Sequence, residues 1–454
     1  MKKKISNLFS STLICTSLFL FFYTFYKSEI ILKGIENDYL TKFYFLSIAL
    51  LLIGLLGFFI KANHNLNIAL VFISLTIGVY CSEIILIKFV ENKNTISAKI
   101  LKENPKYDQR NRYEVYLDES KIYKDKVTVL PVPINMAGED RRDIIPLSGH
   151  SKIRTIFCNE LGFYIIYNSD RYGFRNPDND WDKKVKYLIV GDSLGHGMCV
   201  KEKDTISGRL RDRLPKNYGV LNLSIWGNGP LLYYATLREY ITLVKPEKVL
   251  WLHSEGNDFT DLATEKKSKI LMNYLKNKNF TQNLPNKRKD INRLVRKLVK
   301  NNEIRGQGSE FYENNLRYKV ESLIKLRAIR KIIFNPQKRE KTPLLENLDM
   351  FKQIIIDARN LTKNNGGQFY FIDLPDIFAR EYKGQKNLLF TEKQIATKEI
   401  RKFLKKNKIS YINIYKDVFK NHPDKMSLFP FRGYGHFNPK GYGLTAEKIE
   451  KNIN

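Results

Sequence analysis

Three observations predict an α/β domain built on a parallel sheet and preceded by transmembrane helices. From residue 183 onward, short apolar runs alternate with helical patterns of ten or more residues; each run is bounded by polar residues or glycine; and the first hundred residues hold three long, dominantly apolar stretches. Strands separated by whole helices cannot pair as hairpins, so they lie parallel, and helices cover both faces of the sheet.

The apolar stretches span about residues 8–26, 43–60 and 68–90. Each approaches the roughly 20 residues that a helix needs to cross a bilayer. Lys2, Lys3 and Lys4 precede the first stretch, as in a signal peptide, but Phe21, Phe22, Tyr23, Phe25 and Tyr26 stand where a cleavage site needs small residues. The first stretch therefore reads as a retained anchor with its N-terminus in the cytoplasm, and three crossings put everything after about residue 91 outside. Glu83 and Lys88 lie in the third stretch and blur its end. Residues 1–92 are thus expected to form a membrane region, 93–182 a linking and lead-in region, and 183–454 the α/β domain.

A net charge of +30 over 454 residues raises the question of nucleic acid. Much of that charge lies in a basic insertion at about 265–341, where Lys and Arg are interleaved with Leu, Ile and Val at helical spacing. That pattern describes amphipathic helices with solvated faces, so no nucleic-acid partner is expected; anionic lipid or glycan suits the charge better. Cys15 and Cys81 fall in the membrane stretches, while Cys158 and Cys199 could pair in an oxidising compartment or stay free. No CxxC spacing occurs, and neither a metal nor a cofactor is called for.

Within the domain, Val185 to Val190 reads as the first strand and residues 205–214 as a helix. "GVLNLSI" is the second strand, residues 230–243 a helix with proline in its first turn, and "KVLWLHS" the third strand. Leu348, Phe351, Ile355 and Ala358 share a helical face that Gly366 and Gly367 end, and "QFYFIDLP" follows as a strand. Thr391 is expected to cap the next helix, "SYINI" to be the fifth strand, and residues 441–449 to be the last helix.

Ligands of such sheets sit beyond the carboxyl ends of the strands. Ser193 lies just past the first strand, Gly227 and Asn228 past the second, Asn257 past the third, and His436 between the fifth strand and the last helix. Singly they read as a helix cap, a turn glycine, a turn asparagine and a loop histidine; together on one rim they carry chemistry. A serine hydroxyl needs a base to take its proton, a role open to His436. A tetrahedral oxyanion needs donors aimed at it, and the backbone N–H groups of Ser193 and Gly227 with the Asn257 amide would supply three.

"GDSL" at 191–194, "SIWGN" with Gly227, "EGND" with Asn257 and "GHFNPKGY" with His436 resemble, in order, the four sequence blocks of the SGNH, or GDSL, hydrolase family. The resemblance covers about residues 183–452, and "SDRYGFRNP" at 169–177 is similar to the lead-in of membrane-anchored members. It implies a flavodoxin-like three-layer α/β/α sandwich, with Ser193 as nucleophile, Gly227 and Asn257 as oxyanion donors and His436 as base. It also implies an esterase or acyltransferase acting on O-acyl, chiefly O-acetyl, groups of envelope carbohydrate or a small ester, with a membrane acyl-donor partner possible for a transferase. The bilayer is the other expected partner.

One departure stands out. The family places an aspartate three residues before the histidine, and Gly433 occupies that position. Asp424 is the nearby carboxylate that could orient His436; a backbone carbonyl could instead hold the ring in a Ser-His dyad. His196 and His253 are alternative bases, and a non-catalytic envelope-binding or assembly protein is the alternative function.

Overall fold

The computed structural model describes residues 1–31, 37–92, 103–110, 112–130, 144–300, 320, 322–333, 344–377, 380, 388–433 and 435–453. The chain forms two compact units: Met1–Lys93 with Val320–Asn335, and Asn94–Lys319 with Pro336–Asn454.

The first unit contains three apolar helices, α1 (Lys2–Phe25), α2 (Asn37–Leu56) and α3 (Ala62–Asn92). Lys2–Ile30 and Ala62–Ile87 are long and apolar enough to cross a membrane; Leu40–Leu56 is a shorter apolar helix. Phe19, Phe22, Phe45, Leu70 and Leu75 point outward. Polar side chains face inward instead. The amide nitrogen of buried Asn65, with two hydrogens to share, lies 2.9–3.1 Å from four acceptors, the Ser6 carbonyl and hydroxyl, the Ser10 hydroxyl and the Gly57 carbonyl, and so ties α3 to α1 and to the end of α2. Glu83 is fully buried, and its carboxylate accepts from the N–H groups of Ala328 and Ile329 at 2.7 and 2.8 Å. It thereby satisfies orphan donors at the start of a short helix, Arg327–Ile333, from the basic insertion.

In the second unit the lead-in forms structure of its own. Helix α4 (Arg112–Tyr123) precedes a small sheet of β1 (Val127–Val129), β2 (Arg154–Ile156) and β3 (Ile166–Asn168), with β1 parallel and β3 antiparallel to β2. The main domain then runs β4 (Lys184–Gly191), α5 (Ser193–His196), α6 (Ile206–Arg211), β5 (Tyr218–Asn222), α7 (Pro230–Val244), β6 (Lys248–Ser254) and α8 (Asp258–Glu265). Next come α9 (Lys269–Lys276) and α10 (Arg288–Lys300); α11 is the helix Arg327–Ile333 of the first unit; and the second unit resumes with α12 (Leu348–Asn364), β7 (Gln368–Leu374), α13 (Leu388–Lys406), β8 (Ser410–Asn413) and α14 (Pro439–Ile453). Helix α13 begins before Thr391, so that threonine lies inside the helix rather than capping it.

The five strands are all parallel, in the order β5-β4-β6-β7-β8. This is the doubly wound flavodoxin-like order, which reverses direction beside β4. Side chains alternate across the sheet. Val249 and Trp251 of β6 enter one core with Leu232 and Tyr240 of α7 and Ile354, Ile355 and Ala358 of α12. Leu250 and Leu252 enter the other with Ile206 and Leu210 of α6 and Tyr442, Ala446 and Ile449 of α14. Two cores on opposite faces make three layers. Helix α10 shows how the basic insertion is used: Ile291 and Val295 are buried, while Arg293 stays in solvent.

Candidate active site

Strand β4 ends at Gly191, and Asp192 caps the four-residue helix α5 by accepting from the Leu194 N–H at 2.9 Å. That turn lifts Ser193 onto the carboxyl rim of the sheet. Its hydroxyl lies 2.8 Å from His436 Nε2. The other ring nitrogen, Nδ1, lies 2.8 Å from Glu160 Oε1, and the second oxygen of Glu160 accepts from the His436 backbone N–H at 2.9 Å. A carboxylate only accepts, so the proton sits on Nδ1 and Nε2 is left to accept from Ser193. Serine, imidazole and carboxylate form one continuous chain of hydrogen bonds.

The carboxylate at the histidine is therefore Glu160, from the lead-in, and not Asp424. Asp424 caps a short turn by accepting from the Ser427 N–H and pairs with Arg432 at 2.5 Å, out at the surface. Gly433 leaves the usual place empty, and Glu160 reaches the same ring nitrogen from another part of the chain. Its approach needs Gly435: φ there is +141°, and a Cβ would lie 2.9 Å from Glu160 Oε2.

Burial pushes the Glu160 carboxyl up, but the charge of His436 and the hydrogen bonds from it more than offset this, and the group is held below its ordinary value. Burial likewise pushes His436 down, while the Glu160 carboxylate, with Asp192 behind it, raises it above its ordinary value. The ion pair is the common cause.

Neither alternative histidine reaches Ser193. His196 is wholly buried, stacked on Phe157 at 4.4 Å, with burial keeping it neutral and both ring nitrogens unbonded. His253 gives its Nδ1 proton to buried Asp258 at 2.6 Å. Gly227 follows β5, with φ of +74°, and Asn257 follows β6; these strands flank β4, so both residues stand on the rim to either side of Ser193. Asn257 accepts from the Ser254 hydroxyl at 2.5 Å and donates to Asp261 at 2.6 Å.

The lead-in also braces the site. A disulfide joins Cys158, two residues before Glu160, to Cys199, six residues after Ser193. Buried Arg175 donates to the Gly197 and Val200 carbonyls at 3.0 and 2.6 Å. Asn176 exchanges hydrogen bonds with the backbone of Asn222 at the end of β5. Asp170 gathers the N–H groups of Tyr172 and Phe174 with the Asn176 amide and the Trp181 indole, which locks the "SDRYGFRNP" turn. Among the described residues no cluster of His, Cys, Asp and Glu could hold a metal ion.

Glu160 is the residue that sequence reasoning missed. Its only signal was indirect: a gap at Gly433, and a cysteine close to it whose pairing with Cys199 would bring residue 160 beside the "GDSL" block.

No protein-family model matches the sequence, and no curated protein matches it. Among solved structures the chain is similar to one described as a lipolytic protein of the G-D-S-L family from Desulfitobacterium hafniense DCB-2. They share 12% identity at a TM-score of 0.32, over 59% of this chain and 99% of that one. It is also similar to a member of the lipolytic protein G-D-S-L family from Veillonella parvula DSM 2008, with 11% identity and a TM-score of 0.32, over 59% of this chain and 98% of that one. The sheet order and the four ordered blocks resemble the SGNH/GDSL pattern.

Proposed function

We propose that the chain is a membrane-anchored SGNH-type serine esterase or O-acyltransferase that acts on O-acyl groups, chiefly O-acetyl, of cell-envelope glycans. The observation that carries this reading is the hydrogen-bonded chain Ser193–His436–Glu160 at 2.8 Å and 2.8 Å.

In this mechanism the Ser193 oxygen attacks the acyl carbon as its proton passes to His436 Nε2, and Glu160 stabilises the imidazolium that forms. The negative oxygen of the tetrahedral intermediate is met by the N–H groups of Ser193 and Gly227 and by the Asn257 amide. His436 returns the proton to the leaving sugar hydroxyl, the carbon–oxygen bond breaks, and an acyl-serine remains. Water then completes hydrolysis, or a second sugar hydroxyl completes transfer, by the same steps in reverse order. The missing aspartate favoured a binding protein that has lost turnover; Glu160 at His436 removes the reason for preferring that alternative.

Support for an extracytoplasmic, multi-pass arrangement comes from Lys2 to Lys4 ahead of the first apolar helix and from the Cys158–Cys199 disulfide, a bond that persists in oxidising compartments. The excess of basic side chains suits acidic envelope glycan and anionic lipid. Reporter fusions after residue 65 and after residue 100 should report opposite sides of the membrane; the same side for both would remove the third span.

The decisive test is labelling with a serine-reactive fluorophosphonate together with turnover of a small acetyl ester. Wild type should react with both, and Ser193→Ala with neither, at unchanged melting temperature. Retained turnover in Ser193→Ala would end the nucleophile assignment, and an inert wild type would leave the binding-protein reading in its place.

A further inference from the structure

Two acids one turn apart on α8, half-buried Asp261 and fully buried Glu265, touch both halves of the rim beside Ser193, and the acyl-transfer steps above give neither of them a role. Asn257 immediately precedes α8, and its side chain is held at two of its four hydrogen-bonding positions. The oxygen accepts from Ser254, and one amide hydrogen goes to Asp261 Oδ2 at 2.6 Å. An amide nitrogen carries two hydrogens, so one donor remains for an oxyanion. One helical turn later, Glu265 is fully buried. It accepts from the Gly229 N–H at 2.6 Å and from the Leu231 N–H at 2.8 Å. These are orphan donors at the start of α7, and the loop that they terminate is Gly227 to Gly229. The fit is close enough that residue 229 has no room for a side chain: a Cβ there would lie 2.6 Å from Asp261 Cβ and 2.9 Å from Glu265 Oε1.

We propose that Asp261 and Glu265 are positioning residues for the oxyanion site, one fixing the Asn257 amide and the other fixing the loop that carries Gly227, so that a single face of α8 sets the spacing of both donors. This rests on the acyl-transfer reading of the site. Neither acid touches substrate; each acts through the donor that it holds.

Their charge state suits the task. Burial, with Glu265 and Asp258 as neighbours, pushes Asp261 up to about 9, and burial pushes Glu265 up to about 8 despite the N–H groups that it accepts. Both are thereby shifted toward the neutral form. They hold the donors without setting two negative charges beside an oxygen that must itself become negative. On that side the Lys393 ammonium donates to the Gly256 carbonyl.

The test uses the full-length protein and a small acetyl ester, with kcat and KM measured separately. Asn257→Ala should lower kcat by about 10² to 10³, as removal of one oxyanion donor does. Asp261→Ala should lower kcat by roughly 10², the cost of a misplaced catalytic group, with KM little changed. Asp261→Asn should recover most of that loss, because its amide oxygen accepts the same hydrogen bond. Glu265→Gln, which keeps one acceptor for two N–H groups, should lower kcat less than Asp261→Ala. In the Asn257→Ala background, Asp261→Ala should cost nothing further, since the amide that it positions is gone. A wild-type kcat in Asp261→Ala would overturn the inference. So would equal losses in both backgrounds accompanied by a lower melting temperature, which would mark Asp261 as structural. If instead wild type neither labels with the probe nor turns over ester, the acyl-transfer reading fails and this inference with it.

Discussion

The carboxyl rim of the parallel sheet and the lead-in ahead of it contribute to the same site by different means. On the rim, Ser193, Gly227 and Asn257 stand where β4, β5 and β6 end, so their placement follows from strand order and connection. In the lead-in, Glu160 lies in a loop between two three-residue strands, and it reaches His436 because the chain there is fastened sideways. The fasteners are the Cys158–Cys199 disulfide and the Arg175 and Asn176 hydrogen bonds. The contrast teaches that a hydrogen-bonded chain of serine, histidine and carboxylate can draw its members from a periodic scaffold and from an irregular one, provided that the irregular part is tied to the scaffold close to that chain.

Breaking the rim should have the largest effect. In the proposed mechanism His436 is the base for Ser193, so His436→Ala should cost about 10⁶ in kcat, measured on a small acetyl ester. Glu160→Gln tests the lead-in itself. It leaves the hydrogen-bond geometry in place but favours the wrong imidazole tautomer, and a loss of about 10⁴ in kcat is expected.

The pH profile carries the sign of that interaction. His436 must be neutral to accept the Ser193 proton, so kcat/KM rises with pH through the histidine's pKa. Burial lowers that pKa, and Glu160 raises it above the ordinary value. Glu160→Gln leaves the burial and removes the charge, so the acid limb should move to lower pH. A limb that stays in place would show that Glu160 does not govern the histidine.

Cutting the fastener should have a smaller effect. Replacing Cys158 and Cys199 by serine opens a loop of 41 residues' separation and should lower stability by about 4 kcal/mol, read from denaturant unfolding. Any fall in kcat should come with the same acid-limb shift as Glu160→Gln, because the two act through one carboxylate. Smallest is Asp424→Asn. Asp424 is half-exposed, paired with Arg432 and not with the histidine, so turnover and pH profile should match wild type. A steep loss there would return the orienting role to the C-terminal loop.

The alternation of apolar runs and helical patterns was enough to place the strands of the sheet, because a strand buried on both faces leaves a short run of Val, Ile and Leu bounded by polar residues or glycine, unlike the long apolar stretches of the first hundred residues. "YLIVG", "KVLWLHS" and "QFYFIDL" all fall where the sheet has β4, β6 and β7. The rim residues were legible for the same reason, since each is defined by its distance along the chain from a strand end. Helix α13 was misjudged at its start, where Thr391 looked like a cap and the helix in fact begins at Leu388.

What tertiary structure alone decided was which carboxylate serves the histidine. Asp424 is 12 positions from His436 in sequence and Glu160 is 276 away, yet only Glu160 meets the ring. Strand and helix periods are properties of neighbouring residues and are written locally. A hydrogen bond between two loops depends on where the whole chain brings them, and here on a disulfide, a buried arginine and a glycine that clears the path. The sequence contains each of those parts without stating that they meet.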